Sequence, residues 1–301
     1  YRAGLTCEIE GKPMKKILFA TTALVATAGV AAADVSVSGR AAFGLRHNGV
    51  TSTTVLTNNF DLYFSGTTET DGGVALSATF EMEGLGNTGN YTKGTAVTST
   101  TVFSASAGGL TFSYGNTDGA FDKAMVEVHR IAGIGYELWG GTSFIDNNDG
   151  GQIARIDYAM GDFAVALSYA GFDKSTGIGA KYSTDMGSAK LTLGAGYESQ
   201  TGDDYWGLSA KADFGAFSVA AGYADSKNNT VFNGTWNISA QYSANGLTVG
   251  ANYLDSKTAN TDGYTVFGSY NLGGGASLFA QYGERANGTT KTGSLGVAFS
   301  F

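Results

Sequence analysis

The sequence predicts an all-β fold, a transmembrane antiparallel up-and-down β-barrel of about 16 strands. Most of the chain alternates between apolar and polar residues, which is the period of a strand with two different environments on its faces. Its connections alternate between tight turns rich in glycine and longer polar loops, as in outer-membrane barrels. After residue 33, no apolar run approaches the ~18 residues of a membrane helix, so any membrane span must consist of strands.

The composition excludes several classes of protein. The 301 residues include 46 Gly, 18 Phe and 16 Tyr, an enrichment that argues against disorder. The single cysteine, Cys7, precedes the predicted mature chain, so the mature chain forms no disulfide and has no thiolate chemistry. The formal net charge of −8 makes nucleic acid a poor partner, and none is predicted.

An export signal precedes the predicted barrel. Met14 is followed by two lysines, an apolar run and an Ala-Ala-Ala site, so residues 14–33 are predicted to be a cleaved signal peptide. The mature chain then begins at Asp34 and forms one barrel domain over 34–301. Residues 1–13 are interpreted as upstream residues that do not belong to the natural protein.

The first predicted strand, 35–46, shows how the two faces are assigned. Val35, Phe43 and Leu45 lie on one face, and Arg40 and Arg46 lie on the other. An arginine that faces lipid costs about 2 to 4 kcal/mol near the midplane, so both arginines should face the lumen.

The remaining strands follow the same alternation. They are predicted at about 60–64, 74–81, 100–107, 110–114, 155–160, 163–169, 177–184, 188–199, 205–214, 217–226, 234–243, 247–256, 263–271, 276–284 and 293–301. Tyrosines recur near the ends of their outward faces and predict an aromatic ring at one height of the membrane interface. These tyrosines are Tyr169, Tyr182, Tyr197, Tyr223, Tyr242, Tyr253, Tyr270 and Tyr282.

The alternation stops between residues 116 and 151. A loop of this length in a compact domain is usually functional or disordered, and its aromatic residues, Phe121 among them, favour packing and therefore function. The loop carries six acids against two bases, Lys123 and Arg130. The acids are Asp118, Asp122, Glu127, Glu137, Asp146 and Asp149.

Several segments together resemble the general bacterial porins of Gram-negative outer membranes, in particular the alphaproteobacterial type. The matching segments are the strand from Asp34, 65–74, 115–122, 135–137 and 270–301. The resemblance implies a 16-stranded water-filled barrel, a homotrimer, and a third long loop that folds inward. On this likeness, 116–151 is the constriction loop, surrounding lipid and lipopolysaccharide are partners, and small hydrophilic solutes and ions are permeants.

The resemblance also implies a constriction in which acidic loop residues face basic residues of the wall. The acidic candidates are Asp118, Asp122, Glu127 and Glu137, and the basic wall candidates are Arg40, Arg46 and Arg155. Two departures from relatives are visible. Asp61 and Asn116 stand where many relatives carry arginine, and the Pro-Glu-Phe-Gly-Gly loop motif of enterobacterial porins is absent.

Two function classes stay open on the sequence. One is a passive diffusion channel, weakly cation-selective because the predicted wall charges balance and the loop is acidic. The other is a non-conducting barrel that acts as adhesin, receptor or membrane-embedded enzyme. Small inward residues favour the open lumen of a channel. They are Ser168, Gly194, Gly222, Ser239, Gly250 and Gly296.

Catalysis and cofactors have little support. His47 and His129 stand in predicted loops without a nucleophile and an orienting group, so no enzyme activity is predicted. No cofactor is predicted either. Asp146 and Asp149 leave open a structural Ca²⁺ site or an ordinary solvated turn, and composition favours the turn.

Overall fold

Sixteen strands and one short helix make up the described part of the computed structural model, which covers residues 33–49, 51–83, 98–131, 134, 152–171, 174–228, 233–257, 262–285 and 290–301. The strands are β1 (Asp34–Asn48), β2 (Thr53–Glu69), β3 (Ala75–Glu83), β4 (Thr98–Ala107), β5 (Leu110–Gly115), β6 (Ile153–Met160), β7 (Phe163–Ala170), β8 (Ser175–Met186), β9 (Ala189–Gln200), β10 (Asp203–Phe214), β11 (Phe217–Ser226), β12 (Thr235–Ala244), β13 (Leu247–Asp255), β14 (Gly263–Gly273), β15 (Ala276–Arg285) and β16 (Lys291–Ser300), and the helix α1 spans Ala120–Ala124. The predicted signal peptide lies outside the described residues.

Each strand pairs antiparallel with its neighbours in sequence, and β1 pairs with β16 to close the barrel. Two further hydrogen bonds extend this closure, because the Phe301 N–H donates to Gly39 O at 3.0 Å and the Gly39 N–H donates to Phe301 O at 2.8 Å. Closure leaves no unpaired strand edge, which is the condition for a sheet to cross a membrane. The predicted fold class and strand number are confirmed.

The alternation along each strand separates a lipid-facing side from a lumen side. In β7, Leu167 and Tyr169 are exposed on the outside, whereas Ala166 and Ser168 are buried on the inside. The same parity places the charged wall residues that the sequence predicted inward on the inner face. Those whose side chains are described are Arg40, Arg46, Arg155, Lys181, Lys190, Lys211, Asp61, Glu81, Asp157, Glu198 and Asp213.

The two ends of the barrel differ in their connections. At one end, which we call the short-turn rim, six strand pairs are joined by two-residue turns: 108–109, 161–162, 187–188, 215–216, 245–246 and 274–275. Each turn contains a glycine with positive φ, for example Gly161 at 59° and Gly246 at 80°, because other residues rarely adopt this conformation. The opposite end, the loop rim, carries the longer connections and one further two-residue turn, 201–202.

The outward aromatic residues form two girdles, so the predicted single ring is wrong. Neighbouring strands run in opposite directions, so their C-terminal ends lie at opposite rims. Tyrosines near the ends of two consecutive strands therefore lie at different rims. At the loop rim, the ring centroids of Trp206 and Tyr223 are 5.5 Å apart; at the short-turn rim, those of Phe163 and Tyr182 are 4.6 Å apart. Tyr169, Tyr197, Tyr223, Tyr253 and Tyr282 belong to the loop-rim girdle, and Tyr182, Tyr242 and Tyr270 to the other.

The spacing of the girdles fits a membrane. Trp206 and Phe214 lie eight positions apart on β10, one in each girdle, so a rise of about 3.3 Å per residue and a tilt near 40° separate them by roughly 20 Å. Two aromatic girdles flanking an apolar band of about this height are typical of transmembrane barrels. Within the described residues, no helix has the length and apolar character to cross a membrane.

Candidate functional site

The long loop between β5 and β6 runs along the inside of the barrel wall. Its helix α1 packs against β7, β8 and β9. Farther along, Ile134 is fully buried against Ala42, Phe279 and Ala298, which belong to β1, β15 and β16. The described loop residues, 116–131 and 134, therefore extend around the lumen, and the predicted inward fold of this loop is confirmed for them.

Wall side chains hold the loop backbone through hydrogen bonds. Three serine hydroxyls accept loop N–H groups: Ser168 from Ala120 at 2.8 Å, Ser209 from Val126 at 2.8 Å, and Ser239 from His129 at 2.9 Å. Asn252 Nδ2 donates to the His129 carbonyl at 2.9 Å. These wall residues lie on β7, β10, β12 and β13, so the attachment follows the inner wall over much of its circumference.

Glycines of the wall let the loop approach closely. A Cβ on Gly179 would lie 2.1 Å from Ala120 O, and a Cβ on Gly194 would lie 2.2 Å from Ala124 O. Both distances are far below a van der Waals contact, so only glycine fits. The small inward residues Ser168, Gly194 and Ser239, interpreted from the sequence as signs of an open lumen, instead form the seat of the loop.

An apolar contact fixes α1 between these attachments. Phe121 is fully buried and packs edge-on against Tyr205, with 5.2 Å between the ring centroids. Met125 and Ala224 complete this cluster. The packing of Phe121 that the sequence predicted is confirmed, whereas the other loop aromatics, Tyr136, Trp139 and Phe144, lie outside the described residues.

Arg155 lies on the inner face but is buried, with 5% of its surface exposed, and it anchors the start of the loop. Its Nε donates to both carboxylate oxygens of Asp157, at 3.1 and 2.9 Å. Its Nη1 donates to Thr117 Oγ1 at 3.0 Å and to the carbonyl of Asp118. Arg155 therefore contributes little free charge to the lumen.

The other basic wall candidates lie on β1, outside the strands that hold the loop backbone by hydrogen bonds. Arg40 stands opposite Asp61 in the register of β1 and β2, both on the inner face. Asp61 also accepts from Asn59 Nδ2 at 2.8 Å. Arg46 lies farther along β1 toward the loop rim.

The acidic loop candidates have different surroundings. Asp122 is half-buried in α1, and Glu127 forms an ion pair with Arg130 at 2.7 Å. Asp118 and Asp122 both lie within Coulombic range of Lys181 on β8. Glu137 and the two residues of the calcium alternative, Asp146 and Asp149, lie outside the described residues.

Comparison with known proteins identifies the family. The family model of Gram-negative porins matches residues 20–290, about nine-tenths of the chain. The chain belongs to this family. It is an outer-membrane porin, a channel protein and not an enzyme.

Solved porin structures share the fold of this porin. Two engineered variants of the porin from Rhodopseudomonas blastica superpose with TM-scores of 0.72 and 0.71 at 24% identity, and each comparison covers 89% of this chain and 100% of the other. A porin structure refined at 1.8 Å superposes with a TM-score of 0.70 at 21% identity and the same coverage. No curated protein matches the sequence.

His129 is a loop residue whose environment sequence reasoning missed. Its Nε2 lies 2.7 Å from Ser218 Oγ, and Ser218 donates to Asp213 Oδ1 at 2.5 Å. Since the carboxylate only accepts, the Ser218 oxygen takes the Nε2–H, and His129 Nδ1 accepts from Ser239 Oγ at 2.8 Å. Burial and the positive charge of Lys211 lower the pKa of His129 from 6.5, while Asp213 acts in the opposite sense.

No sequence signal reveals this network, because its partners lie 89 and 110 positions from His129. Asp185, Asp203 and Arg285 are among the further charged residues on the inner face that were not predicted from the sequence. Among the described residues, no three His, Cys, Asp or Glu side chains come together in a group that would hold a metal ion.

Proposed function

We propose that this porin lets ions and small hydrophilic solutes diffuse passively through its lumen. The observation that carries the proposal is the position of the loop, whose backbone is held against the inner wall by Ser168, Ser209 and Ser239. A barrel of 16 strands is also wide enough to enclose an aqueous channel. Single-channel conductance in a planar bilayer tests the proposal, and an absence of conductance would contradict it in favour of a receptor or adhesin.

We further propose weak cation selectivity. The segment 116–151 carries six acids against two bases, and low-dielectric walls focus the field of charges held inside a pore. The described part of the loop carries Asp118, Asp122 and Glu127 against Lys123 and Arg130, and the Glu127–Arg130 ion pair weakens its contribution. The selectivity should therefore be small, and it should fade in 1 M KCl, where the Debye length is ~3 Å.

Replacing the four loop candidates by Asp118→Asn, Asp122→Asn, Glu127→Gln and Glu137→Gln should shift the zero-current potential in a KCl gradient toward anions. The matched control removes outward acids at the loop rim: Asp204→Asn, Asp225→Asn, Asp255→Asn and Glu284→Gln. This control should leave the potential unchanged. An unchanged potential in the loop variant would show that these acids do not line the conduction path.

We propose a homotrimer whose contact lies on the β2–β5 side. Outward alanines suit close contact between barrels, and Ala78, Ala195, Ala210 and Ala212 lie on outward faces. They fall into two groups, since β3 and β10 lie on nearly opposite sides of the barrel. In a trimer with a threefold axis, each barrel contacts the other two through only one of its sides. On the β2–β5 side, Gly66, Ala78 and Ala105 line an apolar groove of about 520 Å³, which favours this side.

Ala78→Trp should therefore weaken the trimer, whereas Ala210→Trp should leave it intact, because tryptophan is tolerated on a lipid-facing surface. Migration on SDS gels without boiling reports the oligomer. Trimers of equal stability in both variants would show that the contact lies elsewhere on the barrel. A wild-type chain that is monomeric in mild detergent would refute the trimer.

We also propose that the mature chain begins at Asp34, after cleavage of residues 14–33. The first strand starts at Asp34, which supports this assignment. The two aromatic girdles support membrane lipid and lipopolysaccharide as the surroundings of the outer face. Mass spectrometry of the protein from outer membranes would give the mature start directly.

A further inference from the structure

A cavity of about 330 Å³ lies between the loop and the wall, on the short-turn side of α1. The lining residues show this position. Gly109 belongs to the turn 108–109, and Ala159 and Ala164 lie on either side of the turn 161–162 at the same rim. Its size is near the lower end of the range for small-molecule sites, about 300 to 1,000 Å³.

The charged lining is predominantly positive. Lys123 comes from α1, Lys181 from β8, and Arg155 and Asp157 from β6. Arg155 and Asp157 form an ion pair, with 2.9 Å between Nε and Oδ2, so their charges offset each other. The two lysines are thus the charges that remain to act on a solute in this cavity.

The two lysines come close together although like charges repel. Each lies within Coulombic range of the other, and in the described part of the chain neither makes an ion pair. Asp118 and Asp122 act on Lys181 from the loop, but they do not line the cavity. Two ammonium groups on one cavity are stabilised by an anion placed between them.

The rest of the lining is mostly apolar, and apart from Tyr158 and Val165 it consists of small residues. It includes Ala124, Ala159, Ala164, Ala166 and Gly179, together with the Thr111 hydroxyl. A surface of this kind accommodates methylene groups, whereas it offers a bare inorganic anion only the two ammonium groups and the Thr111 hydroxyl.

We propose that this cavity binds short aliphatic dicarboxylates as they pass through the porin. The carboxylates pair with Lys123 and Lys181, and the methylene chain lies against the alanines. The inference deepens the proposed channel function and rests on it, because the solute reaches the cavity through the lumen.

The test uses glutarate on the reconstituted porin in a planar bilayer at 0.1 M KCl. Glutarate should reduce the single-channel current in a saturable way, whereas 1,5-pentanediol, its uncharged analogue, should not, and inorganic phosphate should need a higher concentration. Conductance in KCl alone reports whether the protein forms a channel. A failure of the proposed channel function is thereby distinguished from a failure of the proposed binding site.

Lys123→Gln and Lys181→Gln should each raise the half-inhibitory concentration of glutarate about fivefold, because each removes one charge-assisted pairing. Lys190→Gln is the matched control, since it removes one inward positive charge on β9 outside the cavity. An equal effect of all three variants, or inhibition that does not saturate, would overturn the site. Equal inhibition by phosphate and glutarate would overturn its assignment to dicarboxylates.

Discussion

Replacing Gly194 with valine should lower the single-channel conductance, by about twofold, because the new side chain displaces the loop toward the lumen. A Cβ at this position would lie 2.2 Å from Ala124 O and 2.6 Å from Ser209 Oγ. The wall is a continuous hydrogen-bonded sheet, so the loop is the part that moves. Ser209 also accepts the Val126 N–H at 2.8 Å, and this attachment should be lost as well. Overpacking of this kind costs about 1 to 3 kcal/mol of stability.

Gly268→Val is the control for this prediction. Gly268 lies on the outward face of β14, and a Cβ there would have its nearest neighbours at 3.6 Å, an ordinary contact. Conductance in planar bilayers and the denaturant midpoint measure the two effects. If Gly194→Val conducts like Gly268→Val and the wild type, the loop does not lie against β9 in the membrane.

The barrel was predictable because its signal is local and repeated. Every strand has one face toward lipid and one toward the lumen, so its apolar and polar residues alternate. The two faces of β7 therefore follow directly from Leu167 and Tyr169 on one side and Ser168 on the other. The residues at which the strands begin and end were less predictable. β2 begins at Thr53, well before the predicted start near residue 60, because pairing with β1 continues beyond the apolar band, where no apolar side chain is required.

The seat of the loop was not predictable, for a different physical reason. Ala120 and Ser168 are 48 positions apart, and Asn252 and His129 are 123 apart, so no local period links them. A serine or glycine on the inner face looks the same in sequence whether it borders water or a loop backbone. The five-residue helix α1 escapes detection because one turn is too short to show a helical period and is stabilised by its packing on the wall.

Acidification should loosen the loop through His129. Because the pKa of His129 in the folded protein lies below its ordinary value of 6.5, its contribution to the seated loop is complete above pH 6.5 and is lost as the pH falls through the folded pKa. Protonation places a charge in a half-buried site beside Lys211 and prevents Nδ1 from accepting the Ser239 hydroxyl. We expect current fluctuations and brief closures to rise several-fold between pH 7.5 and pH 4.5.

His129→Gln separates this effect from other titrations, because glutamine keeps a donor and an acceptor but does not titrate in this range. The variant should show the same current noise at both pH values. Asp213 accepts the bond from Ser218 and also pairs with Lys211 at 3.1 Å. Asp213→Ala removes this acceptor, so it should be noisy already at pH 7.5. His47→Gln is the matched control, since His47 lies at the loop rim and bonds Thr54 at 3.0 Å. If His47→Gln abolishes the pH response and His129→Gln does not, the network at His129 does not hold the loop in the membrane.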